Sequence, residues 1–204
     1  KRLEEKVLIV SGFSPVKLPQ LQEMGVPVDP LTCLSKIAGK DTLHFSIPTI
    51  APAALGSYLK QHGIEVKIVD FFFDEIHSFD ADIIGISSTF MGVEDVKEIA
   101  ALIREQNPTA TIVLGGPLSW SIPAAELLGE VPTIDYIVKQ EGEQTFVDLI
   151  TVLRTGDDPH LVKGLVFHGG GAVVETERRL PLACEDIPEP SWELMGMPSA
   201  KRLP

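Results

Sequence analysis

Four turns in this chain hold most of its chemical options: Ser11-Gly12, Ser87-Ser88-Thr89, Gly115-Gly116-Pro117 and Glu141-Gly142-Glu143. Ser and Thr bring hydroxyls that donate or accept a hydrogen bond. Gly115-Gly116 lets a ligand touch the backbone, because no Cβ stands in the way. Helix starts beside such turns would add amide donors for a phosphate. This is chemistry for holding a ligand rather than for breaking bonds. No Ser-His-Asp arrangement and no pair of placed carboxylates follows from the order of residues. No GxxxxGKS/T phosphate loop occurs, and Ser11-Gly12-Phe13-Ser14-Pro15 is not a GxGxxG dinucleotide turn. Taken singly, each turn is the Gly, Ser and Pro that chain reversal needs anyway; the set is what points to a binding crest.

Each turn closes a short apolar run, and those runs are the elements that must position it. Lys6 to Val10 reads as a buried strand, with Val7-Leu8-Ile9-Val10 continuous and mostly β-branched. Glu65 to Asp70, Asp82 to Ser87, Thr111 to Gly115 and Asp135 to Lys139 supply further strands. Helical spacing separates them. Leu55, Tyr58, Leu59 and His62 share a face within Pro52 to His62, and Gly63 follows as a stop. Val93, Val96, Ala100 and Ile103 share a face of Gly92 to Gln106, and Phe146, Leu149, Ile150 and Leu153 follow i, i+3, i+4, i+7. Strands alternating with helices require right-handed crossovers, which predicts an α/β fold: a doubly wound, Rossmann-like parallel sheet of flavodoxin-like strand order. In such sheets ligands bind outside the carboxyl ends of the strands, where the four turns fall. The third strand ends in Ser87 rather than an acceptor Asp, and the first lacks an acidic pair, which argues against a receiver domain.

Two segments depart from the alternation. From Gly12 to about Thr49 the chain carries Pro15, Pro19, Pro27, Pro30 and Pro48 and no clear period, so it reads as a long loop with a short helix around Leu31 to Ala38. Beyond Leu161, Gly164-Leu165-Val166-Phe167, Gly169-Gly170-Gly171 and Val173-Val174-Glu175-Thr176 read as a β-hairpin. Pro181, Pro188, Pro190 and Pro198 then stiffen the exit. The expected organisation is an α/β domain over 1–160, a hairpin over 161–180 and a proline-bearing linker over 181–204.

Composition bounds the partners. The chain has 204 residues, 44% of them hydrophobic, enough for one ordinary α/β core. A net charge of −12 argues against nucleic acid, whose binding depends on clustered Lys and Arg. Cys33 and Cys184 stand far apart, outside any metal spacing, which suits a reducing cytoplasmic setting. No apolar stretch approaches the roughly 18 residues that span a bilayer, so no membrane is expected.

Taken in order, Asp82-Ile83-Ile84-Gly85-Ile86-Ser87-Ser88, Val113-Leu114-Gly115-Gly116-Pro117, Tyr136-Ile137-Val138-Lys139, Glu141-Gly142-Glu143-Gln144-Thr145-Phe146 and Gly164-Leu165-Val166-Phe167 resemble the cobalamin (B12)-binding domain of cobalamin-dependent radical S-adenosylmethionine enzymes. The resemblance covers about Ser46 to Leu194, and Glu185-Asp186-Ile187-Pro188-Glu189-Pro190 is similar to the bridge that precedes the radical domain in that family.

The resemblance implies a site. Ser87, Ser88, Thr89 and Phe90, with Gly115, Gly116 and Pro117, match the Ser-x-Leu and Gly-Gly elements that line the cofactor's nucleotide tail, Phe90 standing for Leu. Ser11, Gly12 and Phe13 would approach the corrin's lower face, and Glu141 and Gly142 its rim. Many B12 domains carry Asp-x-His-x-x-Gly after the first strand, with the His on cobalt; here that turn reads Ser11-Gly12-Phe13-Ser14-Pro15-Val16. The expectation is therefore a base-off cofactor without a His ligand. His44, at the end of the long loop, is the nearby candidate for an unconventional ligand, although a loop His is more often solvent-facing or structural. Gln140 replaces the glycine that usually precedes Glu-Gly-Glu.

By the same resemblance, S-adenosylmethionine and a four-iron cluster belong to a C-terminal radical domain, since no Cys-x-x-x-Cys-x-x-Cys is present here. The parent is expected to be a methyltransferase acting on an unreactive carbon, with this part not catalytic alone. The alternatives are a B12-type fold without cobalamin, kept as a substrate-binding or interaction module, and a flavin or sugar-nucleotide domain on the same sheet.

Overall fold

Strands as continuously apolar as Val7–Ser11 or Ile83–Ser87 are stable only when both faces are covered. A computed structural model of the chain, which describes residues 6–11, 50–70, 78–89 and 91–195, meets that requirement. The strands are β1 (Val7–Ser11), β2 (Val66–Asp70), β3 (Ile83–Ser87), β4 (Thr111–Gly115), β5 (Tyr136–Val138), β6 (Leu165–Gly169) and β7 (Ala172–Glu175). The helices among the described residues are α1 (Ile50–Gln61), α2 (Val93–Gln106), α3 (Leu118–Ser121), α4 (Ala124–Glu130) and α5 (Glu143–Thr155).

The strand order is β2-β1-β3-β4-β5-β6-β7. The first five strands run parallel, in the flavodoxin-like order expected from the alternating pattern. The hairpin adds β6 and β7 as two antiparallel strands on the β5 edge, extending the sheet to seven strands among the described residues. The long loop expected over 12–49 lies outside the described residues, as does the triple phenylalanine 71–73.

Pleating divides the strand residues into two cores. Leu8, Val10, Ile84, Ile86, Ile112, Leu114 and Ile137 face α2 and α4 on one side. Val7, Ile9, Ile68, Ile83, Val113, Val138, Leu165 and Phe167 face α1 and α5 on the other. α2 shows why the period matters: Val96, Ile99, Ala100 and Ile103 are completely buried along one stripe, each large side chain contributing about 1.5–3 kcal/mol by leaving water. Its N-terminus is fixed by Asp95, whose carboxylate accepts the Gly92 N–H at 2.8 Å. Among the described residues no helix is long and apolar enough to cross a membrane.

The register brings distant residues into rows. Ile9 pairs with Ile68 and Gly85, Gly85 with Val113, and Ser87 with Gly115. The Gly85 and Ser87–Gly115 rows put two glycines and a serine on the α1–α5 face, from the middle of β3 to the carboxyl ends of β3 and β4, where the helices leave a gap over the sheet.

Candidate functional site

That gap is a cleft of about 290 Å³, near the lower end of the ~300–1,000 Å³ usual for small-molecule sites. Its floor is Ile9, Gly85, Ser87, Val113, Gly115 and Val138. Ala51, Pro52 and Leu55 of α1 form one wall, and Glu143 and Phe146 of α5 the other. Gly116, Pro117 and Trp120 border it from the turn after β4, and Gln140, Glu141 and Gly142 from the turn after β5.

Phe146 accounts for one glycine of the floor. Its ring packs on the middle of β3, and a Cβ at Gly85 would come within 3.3 Å of Cζ. A glycine inside an isoleucine-rich strand marks such a close approach. It was the one sequence signal that could have pointed to the α5 wall.

Gly115 and Gly116 are glycine for different reasons. A Cβ on Gly115 would meet nothing within 4 Å, so its missing side chain is open space in the cleft. Gly116 has φ +89°, and a Cβ there would lie 2.9 Å from the Ser88 hydroxyl and 3.0 Å from the Ser88 backbone nitrogen. The second glycine is thus required by the packing of one turn on the next.

Ser88 is the agent of that packing. Buried at 2% exposure, its hydroxyl donates to the Gly115 carbonyl at 2.8 Å and accepts the Leu118 N–H at 3.1 Å. Its own N–H also donates to Gly115 O, at 2.9 Å. Ser88, which is not in the cleft lining, thus ties the β3 and β4 turns together. The hydroxyls that reach the cleft are those of Ser87 and Thr89, 3.4 Å apart, a long and weak mutual contact. Pleating explains the exchange, because Ser87 shares the face of Gly85 and Gly115.

The remaining expected positions divide. Pro117, Glu141 and Gly142 border the cleft. Ser11 is fully buried at the end of β1 and does not line it. Gly12, Phe13, Phe90 and His44 lie outside the described residues. Among the described residues no group of three His, Cys, Asp or Glu side chains is placed to hold a metal ion.

Residues read in the sequence as helix core or helix start also belong here, above all Leu55, Phe146 and Glu143. The Oε2 atom of Glu143 is buried and has no hydrogen-bond partner. Beside it, the Tyr58 hydroxyl donates to Gln144 Oε1 at 2.7 Å, and Gln144 Nε2 donates to Asp148 at 2.7 Å. Asp148 in turn pairs with Arg179. Burial, and then the nearby carboxylates of Asp186, Asp148 and Glu143, hold the Tyr58 phenol above its ordinary pKa.

Gln140 occupies the left-handed region at φ +62°, the one positive-φ residue besides glycines among the described residues. That conformation costs a non-glycine residue about 1–2 kcal/mol, which explains a glycine preference at this position. The Gln140 amide oxygen accepts from Arg178 Nε at 3.2 Å on the surface. Gln140→Gly is therefore expected to raise stability by about 1 kcal/mol, or ~2–4 °C in Tm, in a thermal melt. An unchanged or lower Tm would mean that the Arg178 contact outweighs the strain.

Residues 38–150 match the family model of the B12 binding domain. The chain belongs to that family. This B12-binding domain is 31% identical over 164 residues to the uncharacterized methyltransferase PH0819 of Pyrococcus horikoshii, covering 76% of the chain and 35% of that protein. It is 29% identical over 157 residues to the anaerobic magnesium-protoporphyrin IX monomethyl ester cyclase of Rubrivivax gelatinosus, covering 70% of the chain and 28% of that protein. Its fold superposes on the cobalamin-dependent S-adenosylmethionine radical enzyme OxsB, solved with aqua-cobalamin and S-adenosylmethionine, with a TM-score of 0.63 at 21% identity over 93% of this chain and 24% of that one. The radical S-adenosylmethionine methyltransferase TsrM of Kitasatospora setae, solved with cobalamin and an iron–sulfur cluster, gives 0.59 at 20% identity over 92% of this chain and 31% of that one. The B12-binding domain spans about a third or less of the length of these proteins.

Proposed function

We propose that this domain holds cobalamin by its nucleotide tail, base-off and without a His on cobalt, as the N-terminal part of a cytoplasmic radical S-adenosylmethionine methyltransferase acting on an unreactive carbon. The observation that carries the reading is the cleft itself. It opens at the carboxyl ends of β3 and β4, is mostly apolar, and is kept open where Gly115 lacks a side chain.

The residues present fit such a group. A corrin ring is too broad for about 290 Å³, but a flat base and its sugar suit a slot between a glycine-lined floor and the ring of Phe146. Ser87 and Thr89 supply hydroxyls at its border. Pro117, Glu141 and Gly142 at the mouth would meet the ring's amide-bearing rim. A tail detached from cobalt can enter the slot, which agrees with the absence of His from the turn Ser11-Gly12-Phe13-Ser14-Pro15-Val16. When bound, the cofactor supplies methyl-group carriage on cobalt; the chain binds it, orients it and excludes water from the tail. S-adenosylmethionine and the four-iron cluster would be handled by the rest of the polypeptide.

The test is incubation of the 204-residue chain with hydroxocobalamin, desalting, and the visible spectrum. Stoichiometric corrin absorbance is expected to stay with the protein. A colourless protein would favour the reading as a substrate-binding or interaction module.

A further inference from the structure

Resting on that reading, we propose that Tyr58 is a positioning residue for the cofactor's tail, its hydrogen bond to Gln144 bracing the two helical walls of the cleft at a fixed separation. The walls belong to different elements. Leu55 of α1 lines the cleft one turn before Tyr58, and Glu143 of α5 lines it immediately before Gln144. The Tyr58 hydroxyl donates to Gln144 Oε1 at 2.7 Å, so the bond joins the helices within one turn of a lining residue on each side.

Apolar packing holds each helix down on the sheet: Ala53 and Leu59 of α1 and Leu149 and Ile150 of α5 are fully buried. Such packing is non-directional. The spacing between the helices is better fixed by a bond with a preferred length and angle, and Tyr58, at 4% exposure, has little water to turn to instead. The direction of the bond is settled by what lies behind it. Asp148 is ion-paired with Arg179 and only accepts hydrogen bonds. Gln144 therefore turns its amide nitrogen toward Asp148, where Nε2 donates at 2.7 Å. That leaves Oε1 facing α1, an acceptor that the Tyr58 phenol satisfies and a phenylalanine would leave unpaired. Arg179 also donates to the Thr145 hydroxyl at 2.9 Å, so the α5 end of the brace is anchored to the segment that follows the hairpin. The brace is a chain of engaged groups running from α1 through α5, and loosening it loosens the width of the cleft.

The part of cobalamin that depends on that width is the tail. Cobinamide keeps the corrin and its rim carboxamides but lacks the nucleotide, so it reports on the mouth alone. The 204-residue chain as wild type, Tyr58→Phe, Gln144→Leu and the double variant would be titrated spectroscopically with hydroxocobalamin and with aquacobinamide, each with a thermal melt. Tyr58→Phe is expected to weaken cobalamin about 5-fold and to leave cobinamide within about 2-fold. The double variant is expected to weaken cobalamin by the same factor, because both remove one bond. Its Tm is expected to recover relative to the single variants, because neither member of the pair is left unmatched. Tyr58→Phe, the smaller change, decides the matter if the leucine variants do not fold. Affinity that follows Tm back toward wild type in the double variant would reduce Tyr58 to a structural role and overturn the assignment. Unchanged cobalamin affinity in Tyr58→Phe overturns it as well, as does equal weakening of both corrinoids. Wild-type protein that binds neither corrinoid removes the functional reading and this inference together; wild type that binds cobalamin beside an unaffected Tyr58→Phe removes this inference alone.

Discussion

Gly115→Leu is expected to lower cobalamin affinity by about 100-fold while leaving the fold intact. The position ends β4 with its missing side chain toward open space: an added Cβ meets nothing within 4 Å. Gly115 faces the same side as Val113, into a cleft of about 290 Å³, so a leucine there occupies the room proposed for the tail. Overfilling a packed site typically costs 1–3 kcal/mol, and the upper part of that range is about 100-fold in Kd. No backbone strain opposes the change, because Gly115 is not among the positive-φ residues. The check is hydroxocobalamin retention after desalting, paired with a melting curve. Full retention at unchanged Tm would show that the tail does not enter at Gly115, and the proposed binding mode would fail. A collapse in Tm would instead make Gly115 a structural glycine like its neighbour.

Gly116→Ala is expected to do the reverse, striking the fold first. With φ +89° the residue sits where a side chain is strained, and the new Cβ would press on the Ser88 hydroxyl at 2.9 Å and the Ser88 nitrogen at 3.0 Å. The hydroxyl could turn away, but the backbone nitrogen is held by its hydrogen bond to Gly115 O. Strain of this kind costs about 1–3 kcal/mol, and displacing Ser88 would also loosen the 3.1 Å bond from Leu118 N that starts α3. A loss of about 2–3 kcal/mol in denaturant unfolding is expected, with Tm lower by roughly 5–10 °C. A variant as stable as wild type would mean that the β3 and β4 turns are not locked through Ser88. Together the two glycine variants separate ligand room from turn geometry at adjacent positions.

Much of the architecture was legible in the sequence. A strand covered on both faces has to be apolar throughout, so the runs at 7–10, 83–86 and 111–114 announce themselves, and the 3.6-residue stripe on α2 does the same for the helix behind them. Strand ends follow from where small and proline residues interrupt those runs, which located the crest and two of the turns that border the cleft, Gly115-Gly116-Pro117 and Glu141-Gly142. The hairpin was equally clear as a local unit. Its continuation of the sheet was not, because pairing of β6 with β5 depends on register between segments far apart in the chain.

The same limit governs the site. Residue order determined that hydroxyls and glycines would gather at the carboxyl ends of parallel strands. Only the tertiary structure decided that Ser87 and Thr89 border the cleft while Ser88 ties two turns together, that Gly115 leaves room while Gly116 avoids a clash, and that Phe146 and Glu143 of α5 form its wall. Composition and period are set by near neighbours along the chain. Which face a side chain presents, and what it meets there, is set by strand register and by helices arriving from elsewhere in the fold.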